Sequence, residues 1–455
     1  MKNKKIKTFC IKLLKYMILF VMLLFIYIVA LTISSLIPSS FLKKNVIESS
    51  EILNKEGERK ITNLGYKTET VFNFTDALMI NIAYSINSEE PLTSALLARK
   101  NYISGQTLNE HADKQYDLGA SKEYVNEKNG DIYQTKELYG LMHGENITDS
   151  FEYARYWHGY LVVLRPLLAI TNYSGIRIIS LAITILLVVT FLYKLYKKID
   201  ISTATFFLIG LLAICIFYVT QGINEIIVYL ISLAFSIILL CKKDINKSIG
   251  EIFFVIGSIT SFTDLLTAPL STLGIPLIVY ILLLQKDEVK LKDIMINIIK
   301  VCVLWGFGYA FTWMMKWVIT QIALGRPIIS QAIEQAKYRT QLKSTKLNYF
   351  SVLLRNLAFL SNATLIGCAI ILIIFTIFKL IINKNKRINF KQNIKLIIPY
   401  VITAIMPFAW YFVLQEHSYI HAFFTYRILI ITIISMFIIV NKICKVEKES
   451  CEEKK

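Results

Sequence analysis

About ten apolar runs, most close to 20 residues long and separated by short polar linkers, govern what this chain can fold into. A helix rises about 1.5 Å per residue, so about 20 apolar residues match the roughly 30 Å hydrocarbon layer of a bilayer. The first run covers residues 17–37. The others fall near residues 176–193, 203–220, 223–241, 252–266, 269–285, 296–319, 350–379, 395–414 and 421–440. Backbone polar groups inside lipid must be satisfied within the segment, which runs of this kind achieve as helices. The expected fold class is therefore an all-α polytopic membrane protein. Composition agrees: 55% of 455 residues are hydrophobic and the mean hydropathy is +0.53, too apolar for a soluble globule.

The net charge of +18 does not imply nucleic acid, because the lysines sit in blocks between apolar runs. Residues 194–198, 242–247, 286–292 and 379–395 are basic, as is the tail after Asn441. The alternate turns, 221–225, 267–269 and 415–420, hold no Lys or Arg. The positive-inside rule then puts both termini in the cytoplasm of a multi-pass cell-membrane protein. Linker 320–349 departs from the pattern: it is basic through Arg326, Lys337, Arg339, Lys343 and Lys346, yet falls outside. The block at residues 384–387 fixes that assignment. A basic outer loop can meet anionic lipid phosphate or a polyanionic glycan.

These signs divide the chain. Residues 1–16 are a basic cytoplasmic N-terminus and 17–38 the first transmembrane helix, read as uncleaved because its apolar run exceeds a secretory core. Residues 39–174 form a large extracytoplasmic loop with interfacial helices. Residues 175–441 make a bundle of about nine helices with the outer loop at 320–349, and 442–455 are a cytoplasmic tail. Within the large loop, residues 157–170 are apolar but span only about 14 positions and contain Arg165 and Pro166, so they close the loop as an interfacial or re-entrant helix. The seven cysteines show no metal-ligand spacing and none lies in this loop.

On this topology all five histidines lie outside: His111, His143, His158, His417 and His421. Acids at outer helix ends are Asp76, Glu225, Asp264 and Glu416. Asp76, in Phe72-Asn73-Phe74-Thr75-Asp76-Ala77, reads either as an N-cap of the helix it opens or as a general base tuned by partial burial. Glu225 near a helix N-terminus is favourable through the helix dipole alone. Asp264 must face the bundle, a cavity or the interface. His417 and His421, four apart, share a face if one helix holds both. Without a third ligand they suit a phosphate or sugar hydroxyl better than a metal. Arg427 needs an acid or a lipid phosphate, with Asp264 or Glu225 as structural alternatives.

Three stretches carry a resemblance: Phe74-Thr75-Asp76-Ala77, Tyr156-Trp157-His158-Gly159-Tyr160-Leu161, and Asn172-Tyr173-Ser174-Gly175-Ile176-Arg177. In order and spacing, over roughly residues 15–240, the chain resembles the GT-C superfamily of membrane glycosyltransferases, including protein O-mannosyltransferases and lipid A aminoarabinose transferases. It departs from the pattern at Ala77, where a second acid is usual, and at Gly159 and Tyr160, where prolines are usual. The resemblance implies transfer of a sugar from a polyprenyl-phosphate donor to a cell-surface glycan, lipid or protein acceptor, with inversion and with Asp76 as general base. It further implies that Arg427, His417 and His421, with Arg326 behind them, face the lipid phosphate, that Asp264, Glu225 and His158 help bind substrate, and that Trp157 stacks on sugar.

Two other readings remain. A flippase or transporter of a lipid-linked glycan would use the loop as a lid and the His/Arg cluster as a headgroup site. A glycan polymerase or ligase would transfer oligosaccharide blocks. No cofactor follows from the sequence. Loss of the second acid leaves a divalent metal without support.

Overall fold

The computed structural model describes residues 2–57, 59–63, 66–70, 72–103, 134–145, 147–340, 348–360, 362–383 and 390–445. His111, Lys343, Lys346 and the basic residues 384–387 lie outside these, so the expectations placed on them are not addressed. The N-terminal half runs α1 (Lys2–Ser35), α2 (Ser39–Glu56), β1 (Arg59–Asn63), β2 (Tyr66–Thr70), α3 (Phe72–Tyr84), α4 (Pro91–Leu97), β3 (Arg99–Ile103), α5 (Gln134–Met142), β4 (Ile147–Glu152), α6 (Leu161–Ile170), α7 (Tyr173–Lys198), α8 (Ile201–Ala213), α9 (Ile216–Val219) and α10 (Ile223–Cys241). The rest is α11 (Ile249–Thr263), α12 (Leu270–Lys286), α13 (Leu291–Leu324), α14 (Ile328–Thr340), α15 (Tyr349–Phe359), α16 (Asn362–Ile382), α17 (Phe390–Val413), α18 (Gln415–Ile420), α19 (Ala422–Thr425), a 3-10 turn (Tyr426–Leu429) and α20 (Ile430–Ile443).

Among the described residues, seven helices are long and apolar enough to cross a membrane: Cys10–Ser35, Tyr173–Lys198, Ile223–Cys241, Leu291–Leu324, Thr364–Ile382, Asn393–Val413 and Ala422–Ile443. The other three expected spans are shorter helices, α8, α11 and α12, of 13, 15 and 17 residues. Helix α8 stops early because Cys215 takes a left-handed conformation (φ 56°) that breaks the helix. The apolar run at 350–379 is likewise divided, into α15 and α16. The large loop is not purely helical. It carries two antiparallel ribbons, β1–β2 and β3–β4.

Helix α2 shows why the loop cannot stand apart from the bundle. Its buried residues Leu42, Val46, Ser49, Ser50 and Leu53 recur at helical spacing and form one face. That face joins a single apolar cluster with Leu24, Tyr27 and Leu31 of α1, Leu78 and Ile82 of α3, and Phe262 and Leu266 at the end of α11. Helix α6 is only 10 residues long, about 15 Å, too short to span. Its Arg165 is buried and donates to the carbonyls of Ser34, Ile37 and Ala83. These carbonyls lie at or just beyond the C-terminal ends of α1 and α3, where backbone acceptors lack intrahelical donors. The arginine inside an apolar segment is thereby explained.

Helices α11 and α13 approach closely through two glycines. A Cβ on Gly257 would lie 2.1 Å from the Trp305 carbonyl oxygen, and one on Gly308 would lie 2.1 Å from that of Phe254. Small residues at such contacts allow backbones to touch in lipid. Polar bonds cross the same interface. Ser258 bonds Thr312 at 2.7 Å and Tyr27 of α1 at 3.0 Å, and Trp157 donates to the Thr312 carbonyl at 2.7 Å.

Candidate functional site

Asp76 is the hub. It is the fifth residue of α3, so it does not cap its own helix. It caps a distant one: its carboxylate accepts from the first backbone amides of α10, Ile223 N at 2.8 Å and Asn224 N at 3.2 Å. A third donor is the Tyr173 hydroxyl, 2.5 Å from Oδ2. Oδ2 therefore accepts twice and Oδ1 once, leaving Oδ1 with acceptor capacity. The side chain is sealed from solvent. Burial pushes its carboxyl up to about 6, against the pull of Tyr173, the two amides and Arg177.

Tyr173 opens α7, and Arg177 follows it by one turn on the same face. The Asn172 side chain caps this helix by accepting from Gly175 N. The Arg177 guanidinium lies 4.1 Å from the Tyr173 ring centre and donates to the Gln221 carbonyl at 2.9 Å. It also grips Glu56 of α2 with two nitrogens, at 2.8 and 3.0 Å. Glu56, Arg177, Tyr173 and Asp76 thus form a continuous polar chain from the end of α2 to the start of α10.

Glu225, in the first turn of α10, pairs with Arg427, and both are buried. Of the two acids expected as partners for Arg427, the structure selects Glu225. Asp264 instead organises the turn between α11 and α12, accepting from the amide and hydroxyl of Thr267. Asp76, through the amides of Ile223 and Asn224, lies against the start of the helix that carries Glu225. His417 donates from Nε2 to the Leu266 carbonyl in that turn at 2.7 Å. Its ring lies 4.8 Å from that of His421. The two histidines do meet, although not on one continuous helix: α18 ends at Ile420 and α19 begins at Ala422. Among the described residues, no three His, Cys, Asp or Glu side chains are grouped to hold a metal ion.

Three expected site residues sit differently. Trp157 is fully buried, its indole N–H bonded to Thr312 and its ring packed edge-on against Tyr27 and Phe262. It is a core residue and offers no face to a sugar. Arg326 is half-exposed and bonds Glu152 of β4, on the surface ribbon and away from Asp76 and its partners. His158 sits at φ 55° with Nε2 bonded to the Tyr153 carbonyl at 2.8 Å and Nδ1 3.0 Å from the Tyr160 hydroxyl. Burial pushes its imidazole down to about 3, so the ring is neutral at ordinary pH. The adjacent Gly159 has a clear cause: a Cβ there would lie 2.5 Å from the Phe262 carbonyl oxygen, and its N–H donates to that same oxygen at 2.8 Å. Proline has no N–H to donate.

Beside this chain of polar groups lies a cavity of about 250 Å³ between α6, α7, α10 and α11. Its walls are apolar, with Leu164, Ile176, Ile223, Ile227 and Ile259 among them. Of its lining residues, Val163 and Ile183 are 61% and 43% exposed. Arg177 is the single charged residue lining it among the described residues. Tyr173, Arg177 and Glu56 were not selected as site residues from sequence. The signal available was the i, i+4 spacing of Tyr173 and Arg177 behind the Asn172 cap.

Comparison with protein-family models, curated proteins and solved structures gives no match for this chain.

Proposed function

We propose that this protein is a membrane transferase that moves a sugar from a polyprenyl-phosphate carrier to a cell-envelope acceptor, a glycan, lipid or protein. The observation that carries the reading is an apolar cavity that has Arg177 in its wall, one side chain away from the Tyr173–Asp76 pair. An isoprenoid tail fits the apolar walls. In this reading the sugar-phosphate lies by Arg177, near Asp76.

In the proposed reaction the acceptor hydroxyl gives its proton to Asp76 Oδ1. The hydroxyl oxygen forms a bond to the anomeric carbon as the bond from that carbon to the phosphate oxygen breaks. The leaving group departs as polyprenyl phosphate and configuration inverts. A base whose carboxyl titrates near 6 is ionised at neutral pH yet basic enough to take the proton. No step requires a metal.

Envelope glycans and glycoconjugates analysed by mass spectrometry, with and without the gene, test the reading. The expected result is loss of a hexose-sized increment from one species. An unchanged profile in cells that express the protein contradicts it. In proteoliposomes, a lipid-linked sugar that crosses the bilayer without being consumed would establish the flippase alternative instead.

A further inference from the structure

Two arginines pair with carboxylates near the start of α10, and they differ in access. The Arg427 and Glu225 side chains are 4% and 5% exposed, and Arg427 does not line the cavity. The Arg177 and Glu56 side chains are 13% and 17% exposed, and Arg177 is among the residues that line the cavity. Guanidinium binds carboxylate and phosphate through the same two-pronged geometry. Glu56 therefore occupies Arg177 in the way a phosphate oxygen pair would.

We infer that Glu56 is an internal occupant of the anion seat at Arg177, displaced when the phosphate headgroup of a lipid enters the cavity. This rests on the lipid-carrier reading above and adds to it a competitor built into the chain. The seat is prepared for exchange. Arg177 keeps its position without Glu56, because it also donates to the Gln221 carbonyl and to Asn73 Oδ1 at 3.1 Å, and lies over the Tyr173 ring. Glu56 is the last residue of α2, so its release moves a helix end rather than a helix interior. Asn73 Nδ2, 3.2 Å from Glu56 Oε2, ties the same exchange to α3, which carries Asp76. Headgroup arrival would thus release one tie between α2 and α3, while Asn73 keeps its bond to the Gly57 carbonyl at 2.6 Å and Tyr173 stays against Asp76.

The test is equilibrium binding of farnesyl phosphate to the purified full-length protein in detergent, with farnesol and inorganic phosphate as comparison probes. No sugar or acceptor is present, so the result is independent of whether the protein proves to be a transferase. The wild-type protein should bind farnesyl phosphate more tightly than farnesol, and inorganic phosphate should not compete at equal concentration. Glu56→Gln should bind farnesyl phosphate about fivefold tighter, because the competing charge is gone. Arg177→Met should bind farnesyl phosphate no better than farnesol. Unchanged or weaker binding by Glu56→Gln overturns the inference, and that arm decides even if Arg177→Met does not fold. Competition by inorganic phosphate as effective as by farnesyl phosphate also overturns it, since the cavity would then add nothing to the seat.

Discussion

The Tyr173 hydroxyl donates to Asp76 Oδ2 at 2.5 Å, joining the first residue of one membrane helix to an acid 97 residues earlier. This bond favours the ionised carboxylate and opposes the burial that raises it to about 6. If Asp76 takes the acceptor's proton, the transfer rate falls as pH drops through about 6. Tyr173→Phe removes a stabilising donor, so the carboxyl rises further and the acid limb moves to higher pH, by on the order of one unit. The pH dependence of kcat/KM in both proteins checks this. A limb that stays in place in Tyr173→Phe shows that another group sets it.

Arg427→Met leaves Glu225 buried with no opposite charge beside it. The expected cost is about 3–5 kcal/mol, while replacing both residues with apolar ones restores most of it. Thermal unfolding in detergent of Arg427→Met, Glu225→Leu and the double variant measures the difference. Equal losses in single and double variants would contradict a mutually compensating pair.

Gly159 lies against the backbone of Phe262 with no room for a methyl group. Gly159→Ala should destabilise by about 1–3 kcal/mol through forced separation of the loop from α11. Gly159→Pro should be worse, since it also removes the N–H bonded to Phe262. Melting temperatures that fall in the order glycine, alanine, proline meet the expectation. A proline variant as stable as wild type does not.

A second buried ion pair, Lys100 with Glu137, joins β3 to α5 within the loop. Burial pushes the Glu137 carboxyl up, and the Lys100 ammonium counters this. Lys100→Met should destabilise the loop by about 3–5 kcal/mol. Limited proteolysis of the loop should then proceed faster than in wild type, and Lys100→Met combined with Glu137→Leu should bring it back toward the wild-type rate.

The apolar runs made the long helices legible, because hydropathy reports a property of each segment alone. Arg427 was legible in the same way, as a charge whose burial demands a partner. What sequence could not reveal were groups defined by pairing across the chain. Asp76 reads locally as a cap for the helix that follows it, yet it caps a helix whose first amide is 147 residues away. The resemblance implies a sugar-stacking role for Trp157, but α13 arrives from far along the chain to bury it. The unusual Gly159 became intelligible only once Phe262 was placed against it. Helix α8 looked like a full span because nothing in its composition marks the left-handed turn at Cys215.

The most direct measurement is release of polyprenyl phosphate from a decaprenyl-phosphate hexose by the purified protein in proteoliposomes supplied with envelope acceptor, compared with Asp76→Asn. At the Oδ2 position the asparagine oxygen can still accept from Tyr173 and the Ile223 amide, but its NH2 group then faces the Asn224 N–H. A loss of stability of about 1–2 kcal/mol is therefore expected and is read separately from the melting curve. Wild-type protein should release polyprenyl phosphate and label the acceptor, and folded Asp76→Asn should be slower by about a hundredfold or more. Undiminished transfer by folded Asp76→Asn would contradict the role of Asp76, and no release by the wild-type protein would contradict the transferase itself.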